Sequence, residues 1–194
     1  MTTELLTQKL LALLREKSLM SGDFELASGA RSTYYVDVRV TTMSGRGQVL
    51  VGEAGWRAIR MKSWPAEVIG GLTLGADPVA YAIAARATLE GRTLDAFTVR
   101  KEAKQHGMGK LIEGAEVAGN DVIIVEDVLT TGGSAMQAIK AVEAEGGRVI
   151  GVLAVLDREQ GGKQRIEEAG YPVEAMFTAT ELLGHAPPAS TPVS

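Results

Sequence analysis

Residues 122–147 read VIIVEDVLTTGGSAMQAIKAVEAEGG. Val122–Val125 is an unbroken apolar run, the pattern of a strand buried on both faces, as parallel strands are. Ala135–Glu145 carries apolar residues at helical spacing and is stopped by the pair Gly146-Gly147. A buried strand, a turn of hydroxyls and glycines, and a helix thus follow one another. The same alternation continues outward. Upstream, Glu67–Gly71 reads as a short strand, Pro78 suits the first turn of a helix that continues through AYAIAARATLE, and Leu94–Val99 reads as a further strand. Downstream come a buried strand over Val149–Leu156, a short helix over 162–169 and a last strand over Val173–Thr180. The pattern predicts an α/β fold with a mostly parallel central sheet flanked by helices. In such folds ligands bind beyond the carboxyl ends of the strands, so the residues just after each strand hold the interest.

The N-terminal part is less regular. Leu5, Leu6, Leu10, Leu13 and Leu14 predict a helix over 3–18 with Thr3 as its cap. TYYVDVR (33–39) alternates like a strand, and 45–62 reads as a helix anchored by Val49, Leu50, Trp56 and Ile59. Residues 101–120 have no clear period and read as a long loop with room for a hairpin. APPASTPVS (186–194) holds three of the six prolines and reads as a flexible tail. The expectation is one domain over 1–185.

Composition narrows the function classes. The net charge of −4 and pI near 5.3 argue against a nucleic-acid coat, which needs a basic surface. With no cysteine there can be no disulfide, thiolate nucleophile or thiolate-bound metal. No stretch approaches the apolar length of a membrane span or a secretion signal, so a cytoplasmic protein is expected.

The chemistry concentrates after the central strand. Glu126 and Asp127 can accept hydrogen bonds from two hydroxyls of a sugar. Thr130, Thr131 and Ser134 supply hydroxyl donors, while Gly132 and Gly133 let main-chain N–H groups at the helix start close on a phosphate. Val128 and Leu129 link the two parts. The bland alternative is an ordinary capped strand-to-helix turn with solvated acids. A Walker A sequence and a G-x-G-x-x-G sequence are both missing here. A second feature is VRKEAKQHGMGK (99–110), where Arg100, Lys101, Lys104, His106 and Lys110 face a single acid, Glu102. Such a run is usually a solvated basic loop. Beside a phosphate site it could instead meet a leaving group whose negative charge grows during reaction. A third is Arg158, directly after the 149–156 strand, where a guanidinium can recognise a carboxylate-bearing ring or pair with a nearby acid.

EDVLTTGGS (126–134) resembles the signature with which type I phosphoribosyltransferases bind 5-phosphoribosyl-1-diphosphate (PRPP). RKEAKQHG (100–107) resembles the catalytic loop of the orotate phosphoribosyltransferases within that family; adenine and hypoxanthine enzymes do not carry it. FELASGARSTYYVDVR (24–39) is similar to the family's small N-terminal substrate hood, placed over about 1–40. The likeness extends from about residue 20 to 183. It implies transfer of a phosphoribosyl group from PRPP to orotate with release of diphosphate, on the route to UMP. It further implies that residues 126–134, together with Arg100, Lys101, Lys104 and His106, bind PRPP. Of these, Arg100, Lys104, His106 and Asp127 would serve catalysis. Thr130, Arg158, Tyr34 and Tyr35 would meet orotate, and Thr73, Leu74 and Gly75 would form a diphosphate loop with a non-proline cis bond at Leu72–Thr73. Magnesium would be bound mainly through PRPP. A homodimer would share loop 100–110 across its interface. Two departures stand out: Ala27 and Leu74 occupy positions where some members carry lysine, with Arg31 or Ser28 available in place of the first. A type I enzyme for another base is the nearest alternative. A PRPP-sensing regulator is another, but such proteins add a DNA-reading domain for which this length leaves no room.

Overall fold

The computed structural model describes residues 2–25, 31–102 and 111–185. Ala27, Ser28, Lys104, His106 and the tail lie outside them. The first helix, α1 (Thr3–Lys17), buries Leu6, Leu10, Leu13 and Leu14 along one stripe. Its cap is Thr2 and not Thr3: Thr2 is extended and its side chain accepts from the Leu5 N–H, as a residue just outside the helix can.

A two-stranded antiparallel ribbon follows, β1 (Leu19–Glu25) with β2 (Arg31–Val36). The sequence of β1, LMSGDFE, carries no strand pattern, and only its pairing with β2 makes it one. β2 stops three residues short of the expected Arg39. The Asp37 carboxylate accepts from the backbone N–H of Arg39 at 3.1 Å and turns the chain into the single turn α2 (Arg39–Thr42). α3 (Gly45–Met61) is capped by Ser44, whose hydroxyl accepts from the Gly47 N–H.

The main sheet has six strands in the order β5-β4-β3-β6-β7-β8. They are β3 (Val68–Leu72), β4 (Asp95–Val99), β5 (Ile112–Gly114), β6 (Asp121–Leu129), β7 (Arg148–Asp157) and β8 (Val173–Thr178). All neighbours run parallel except β5, which returns antiparallel on β4 and realises the hairpin allowed for in 101–120. The remaining helices are α4 (Ala76–Leu89), α5 (Gly133–Ala144), α6 (Gly162–Glu168) and α7 (Ala179–Leu183). Thr178 and Glu181 close a capping box at α7, which ends the last strand two residues before the expected Thr180. One face of the sheet packs α1, α3 and α4 through Leu10, Val51, Ile59 and Ile83; the other packs α5 and α6 through Ile139, Val142 and Ile166. Each such buried aliphatic side chain contributes roughly 1.5–3 kcal/mol.

The chain winds outward in both directions from the pair β3 and β6, the topological switch point of the sheet. β6 is longer than the expected 122–125. Its pairing with β3 ends at Gly70↔Ile124, whereas its pairing with β7 continues to Leu129↔Asp157. The edge of β6 that faces β3 is therefore open from Val125 onward, and Glu126 and Asp127 lie within the strand, not after it.

Candidate active site at the switch point

A cavity of about 260 Å³ opens at this free edge. Its walls come from β6 and α5 (Glu126, Asp127, Val128, Ser134), from the β3–α4 turn (Leu72 to Gly75), from the end of β2 and the turn after it (Tyr35 to Arg39), and from Lys101. Segments far apart in sequence thus converge on the carboxyl ends of two adjacent parallel strands.

The acids are held away from water. Glu126 is 5% exposed, and its Oε1 has no hydrogen-bond partner among the described residues. Burial, and then the neighbouring charge of Asp127, push its carboxyl up to about 8. Burial raises Asp127 as well, opposed by the N–H groups of Val128 and Asp127 itself and by the charge of Arg39. Arg39 grips Asp37 with two 2.8 Å bonds, and this pairing holds Asp37 below the usual carboxylate range. The floor of the cavity therefore carries a buried acid, Glu126, beside a half-buried one, Asp127, with one guanidinium close by. The Asp127 carboxylate also touches the opposite wall: a Cβ on Gly75 would lie 2.2 Å from Asp127 Oδ1, so only glycine permits this approach.

The β3–α4 turn contributes main chain. The cis bond is Thr73–Leu74, not Leu72–Thr73. The Thr73 N–H still donates to Val99 O at 2.8 Å, which keeps the preceding peptide in register with β4 and moves the departure from the strand one residue on. The Thr73 hydroxyl donates to Asp77 Oδ2 at 2.7 Å. Both donors of Thr73 are thereby engaged by protein. The N–H groups of Leu74 and Gly75 have no acceptor among the described residues, and the Leu74 side chain is 53% exposed.

The 130–134 turn is pressed against α6. Thr130 O accepts from the Gly162 N–H at 2.9 Å and Thr131 O from Arg165 Nη1 at 3.1 Å. Gly132 has φ +77° and gives α5 no side-chain cap, which leaves the first-turn N–H groups to an outside acceptor. Leu129 sits in the core at 1% exposure, so any part it takes at the site is through its main chain.

Arg158 does not line the cavity; its guanidinium lies over the ring of Tyr34, 5.1 Å from its centroid. Arg158 is 9% exposed and its Nε has no partner among the described residues. Consecutive residues of a strand face opposite ways. Tyr34 accordingly lies in the core under Arg158, while Tyr35 lines the cavity and packs on Phe24, with ring centroids 5.7 Å apart.

Among the cationic residues, Lys101 lines the cavity and Arg100 does not. Arg100 bonds Glu113 at 2.9 Å and faces a separate cleft with Met136, Lys140 and Arg165. Arg31 pairs with Asp23 at the ribbon end and does not line the cavity either. Sequence reasoning missed Asp37, Arg39 and Asp77. The first two were hidden in an apparent strand, although Asp-x-Arg is a fair signal for a side-chain-closed turn. Asp77 looked like a helix-start acid.

Comparison with known proteins bears on this arrangement. Residues 56–170 match the phosphoribosyl transferase domain family. Orotate phosphoribosyltransferase of Aquifex aeolicus is 45% identical over 179 residues, covering 91% of this chain and 97% of the relative. The crystal structure of Mycobacterium tuberculosis orotate phosphoribosyltransferase in complex with Fe(III) dicitrate superposes with a TM-score of 0.83 at 44% identity, covering 91% of this chain and 98% of that one. The complex of the M. tuberculosis enzyme with PRPP gives a TM-score of 0.76 at 38% identity, covering 91% of each chain. With such identity sustained over nine-tenths of its length, and with a cavity formed where this fold binds its ligands, the chain belongs to the orotate phosphoribosyltransferase family.

Proposed function

We propose that this protein transfers the 5-phosphoribosyl group of PRPP to orotate, giving orotidine 5′-monophosphate and diphosphate in pyrimidine biosynthesis. The observation that carries the reading is the switch-point cavity, where buried Glu126 and half-buried Asp127 face main-chain donors. Arg158 is not in the cavity lining; it lies over Tyr34, the neighbour of the cavity-lining Tyr35, and its Nε has no partner among the described residues. Glu126 and Asp127 accept from the two ribose hydroxyls. The N–H groups and hydroxyls of Thr130 to Ser134 hold the 5′-phosphate, and those of Leu74 and Gly75 the diphosphate. Arg158 takes the orotate carboxylate, with Tyr35 and Thr130 beside the ring and Tyr34 supporting the guanidinium from below.

The C1–O bond lengthens, the ribose ring gains positive character, and N1 of deprotonated orotate forms the new bond as diphosphate departs. Negative charge grows on the leaving oxygen, where Lys101, Arg100, Lys104 and His106 stabilise it. Arg100 must leave Glu113 to do so. The donor set suits magnesium, which commonly joins one or two carboxylates to substrate phosphates. Glu126 and Asp127 supply hard oxygens, and the described residues hold no cluster of three or more ligating side chains that would cage a metal by itself. Bound mainly through PRPP, magnesium would neutralise diphosphate charge. No helix among the described residues is long and apolar enough to cross a membrane.

Orotate consumption followed spectroscopically with PRPP and magnesium, beside uracil, adenine and hypoxanthine, tests the assignment. Turnover of orotate alone is expected; equal turnover of uracil would sink it. The protein acts as a homodimer that shares loop 100–110 across its interface, with Lys101 lining its own cavity and Lys104 serving the partner's site. Mixing Lys104→Ala with Asp127→Asn under subunit exchange then gives about half mixed dimers with one sound site each, so about a quarter of wild-type activity returns. No recovery in confirmed mixed dimers refutes loop sharing.

A further inference from the structure

A hydrogen-bonded chain behind the β3–α4 turn plays no part in the chemistry above. Thr73 Oγ1 donates to Asp77 Oδ2 at 2.7 Å, and Thr98 Oγ1 donates to Asp77 Oδ1 at 2.9 Å. Tyr81 Oη lies 2.9 Å from Thr98 Oγ1. A hydroxyl has one proton to donate. That of Thr98 goes to Asp77, so Tyr81 is the donor to Thr98. The direction of the whole chain follows: Tyr81 to Thr98 to Asp77, and Thr73 to Asp77 from the other side. Each oxygen of the Asp77 carboxylate receives one hydroxyl, one from the turn after β3 and one from β4.

We propose that Asp77 is a positioning residue for PRPP: it clamps the 73–75 turn to β4 so that the N–H groups of Leu74 and Gly75 stand fixed toward the cavity. Three observations converge on this. The Thr73 hydroxyl is turned toward Asp77, which leaves the main chain of the turn as its contribution to the site. The turn has no lysine or arginine of its own, so its hold on an anion depends on where two backbone N–H groups point. Thr98 lies two residues before Arg100, so the clamp joins the anion-facing turn to the root of the basic segment whose Lys101 lines the same cavity. Asp77 also lies in the first turn of α4, at the end where bound anions gather. Its two hydroxyl donors give that carboxylate a local use that does not compete for the anion.

The inference rests on the proposed reading that the turn faces the diphosphate group of PRPP. Calorimetry on the full chain with PRPP, with inorganic diphosphate and with orotate separates the two. If the wild type binds neither PRPP nor diphosphate, the functional reading fails. If it does, Asp77→Ala is expected to weaken both about tenfold, raising KM for PRPP in parallel while KM for orotate stays within twofold. Thr98→Val, which removes one donor with little change of shape, is expected to give a smaller loss of two- to fivefold with the same selectivity. Thr98→Ser, which keeps the hydroxyl, is expected to restore wild-type values. Unchanged PRPP and diphosphate affinity in Thr98→Val and Asp77→Ala overturns the clamp. An equal rise in both KM values also overturns it, because a general loosening of the site has no reason to spare orotate. Should Asp77→Ala not fold, the Thr98 pair decides alone.

Discussion

Two strand-to-helix corners meet at this cavity and do comparable work by different means. The β6–α5 corner adds side chains to its main-chain donors: Glu126 and Asp127 on the overhanging strand, then Ser134 in the first helical turn. The β3–α4 corner presents main chain, with its single nearby acid turned inward to hold two threonines. The first stores electrostatic cost, since both carboxyls are raised by burial. The second stores geometry. A corner built on side chains tolerates small backbone changes and is sensitive to charge; a corner built on N–H groups is sensitive to any shift of the backbone and to the side chains that hold that backbone in place.

The largest effect is expected where the two corners touch. Gly75→Ala places a methyl group 2.2 Å from Asp127 Oδ1, so the turn or the carboxylate must move. Misplacement on the ångström scale costs about a hundredfold in rate. Steady-state kinetics should therefore show kcat/KM for PRPP down by about that factor in a protein whose thermal transition remains cooperative. Near-normal kinetics would mean that the two corners are not mechanically linked.

Asp127→Asn addresses the β6–α5 corner alone. Losing a charge-assisted hydrogen bond costs about 1.5–3 kcal/mol, or roughly ten- to a hundredfold in affinity. PRPP binding and magnesium-dependent turnover should fall by that much while orotate binding is spared. Unchanged affinity and turnover would remove Asp127 from the ribose.

A pH experiment sharpens the contrast without substrate. Burial lifts the Glu126 carboxyl from 4.5 to about 8. Between those values the folded protein holds a proton that the unfolded chain has released. Stability consequently declines as pH rises through this window and levels off above it, by a few kcal/mol at most. Asp127, also raised, acts in the same sense. Glu126→Gln should flatten most of this slope in urea titrations of ligand-free protein from pH 5 to 9. A wild-type slope retained in the variant would place the burial cost elsewhere.

The contrast also explains what could be read in advance. EDVLTTGGS is contiguous, and its chemistry follows from residue types at fixed spacing after an apolar run; strand, acids, glycines and helix were all visible. Even so, the length of β6 was not, because β7 rather than β6 itself sustains pairing out to Leu129. For GGLTLGADP the family resemblance implied a cis bond but put it one residue early, at Leu72–Thr73 and not Thr73–Leu74, and the hydrogen bond from Thr98 to Asp77 was not visible, since Thr98 lies on another strand. β1 was invisible for a similar reason: its partner, not its composition, makes it extended.

The sequence by itself determined the α/β class, the alternation of buried strands and amphipathic helices, and the acid, hydroxyl and glycine content of the central corner. These depend on local periodicity and on the few residue types that suit a strand end or a helix start. Tertiary structure alone decided that Asp127 meets Gly75, that Arg158 covers Tyr34 while Tyr35 faces the cavity, that the charge of Arg39 acts on Asp127, and that Asp77 joins Thr73 to Thr98. Each of these is a contact between segments whose distance in space is set by sheet order and register, and pairing of that kind leaves no periodic trace in either segment.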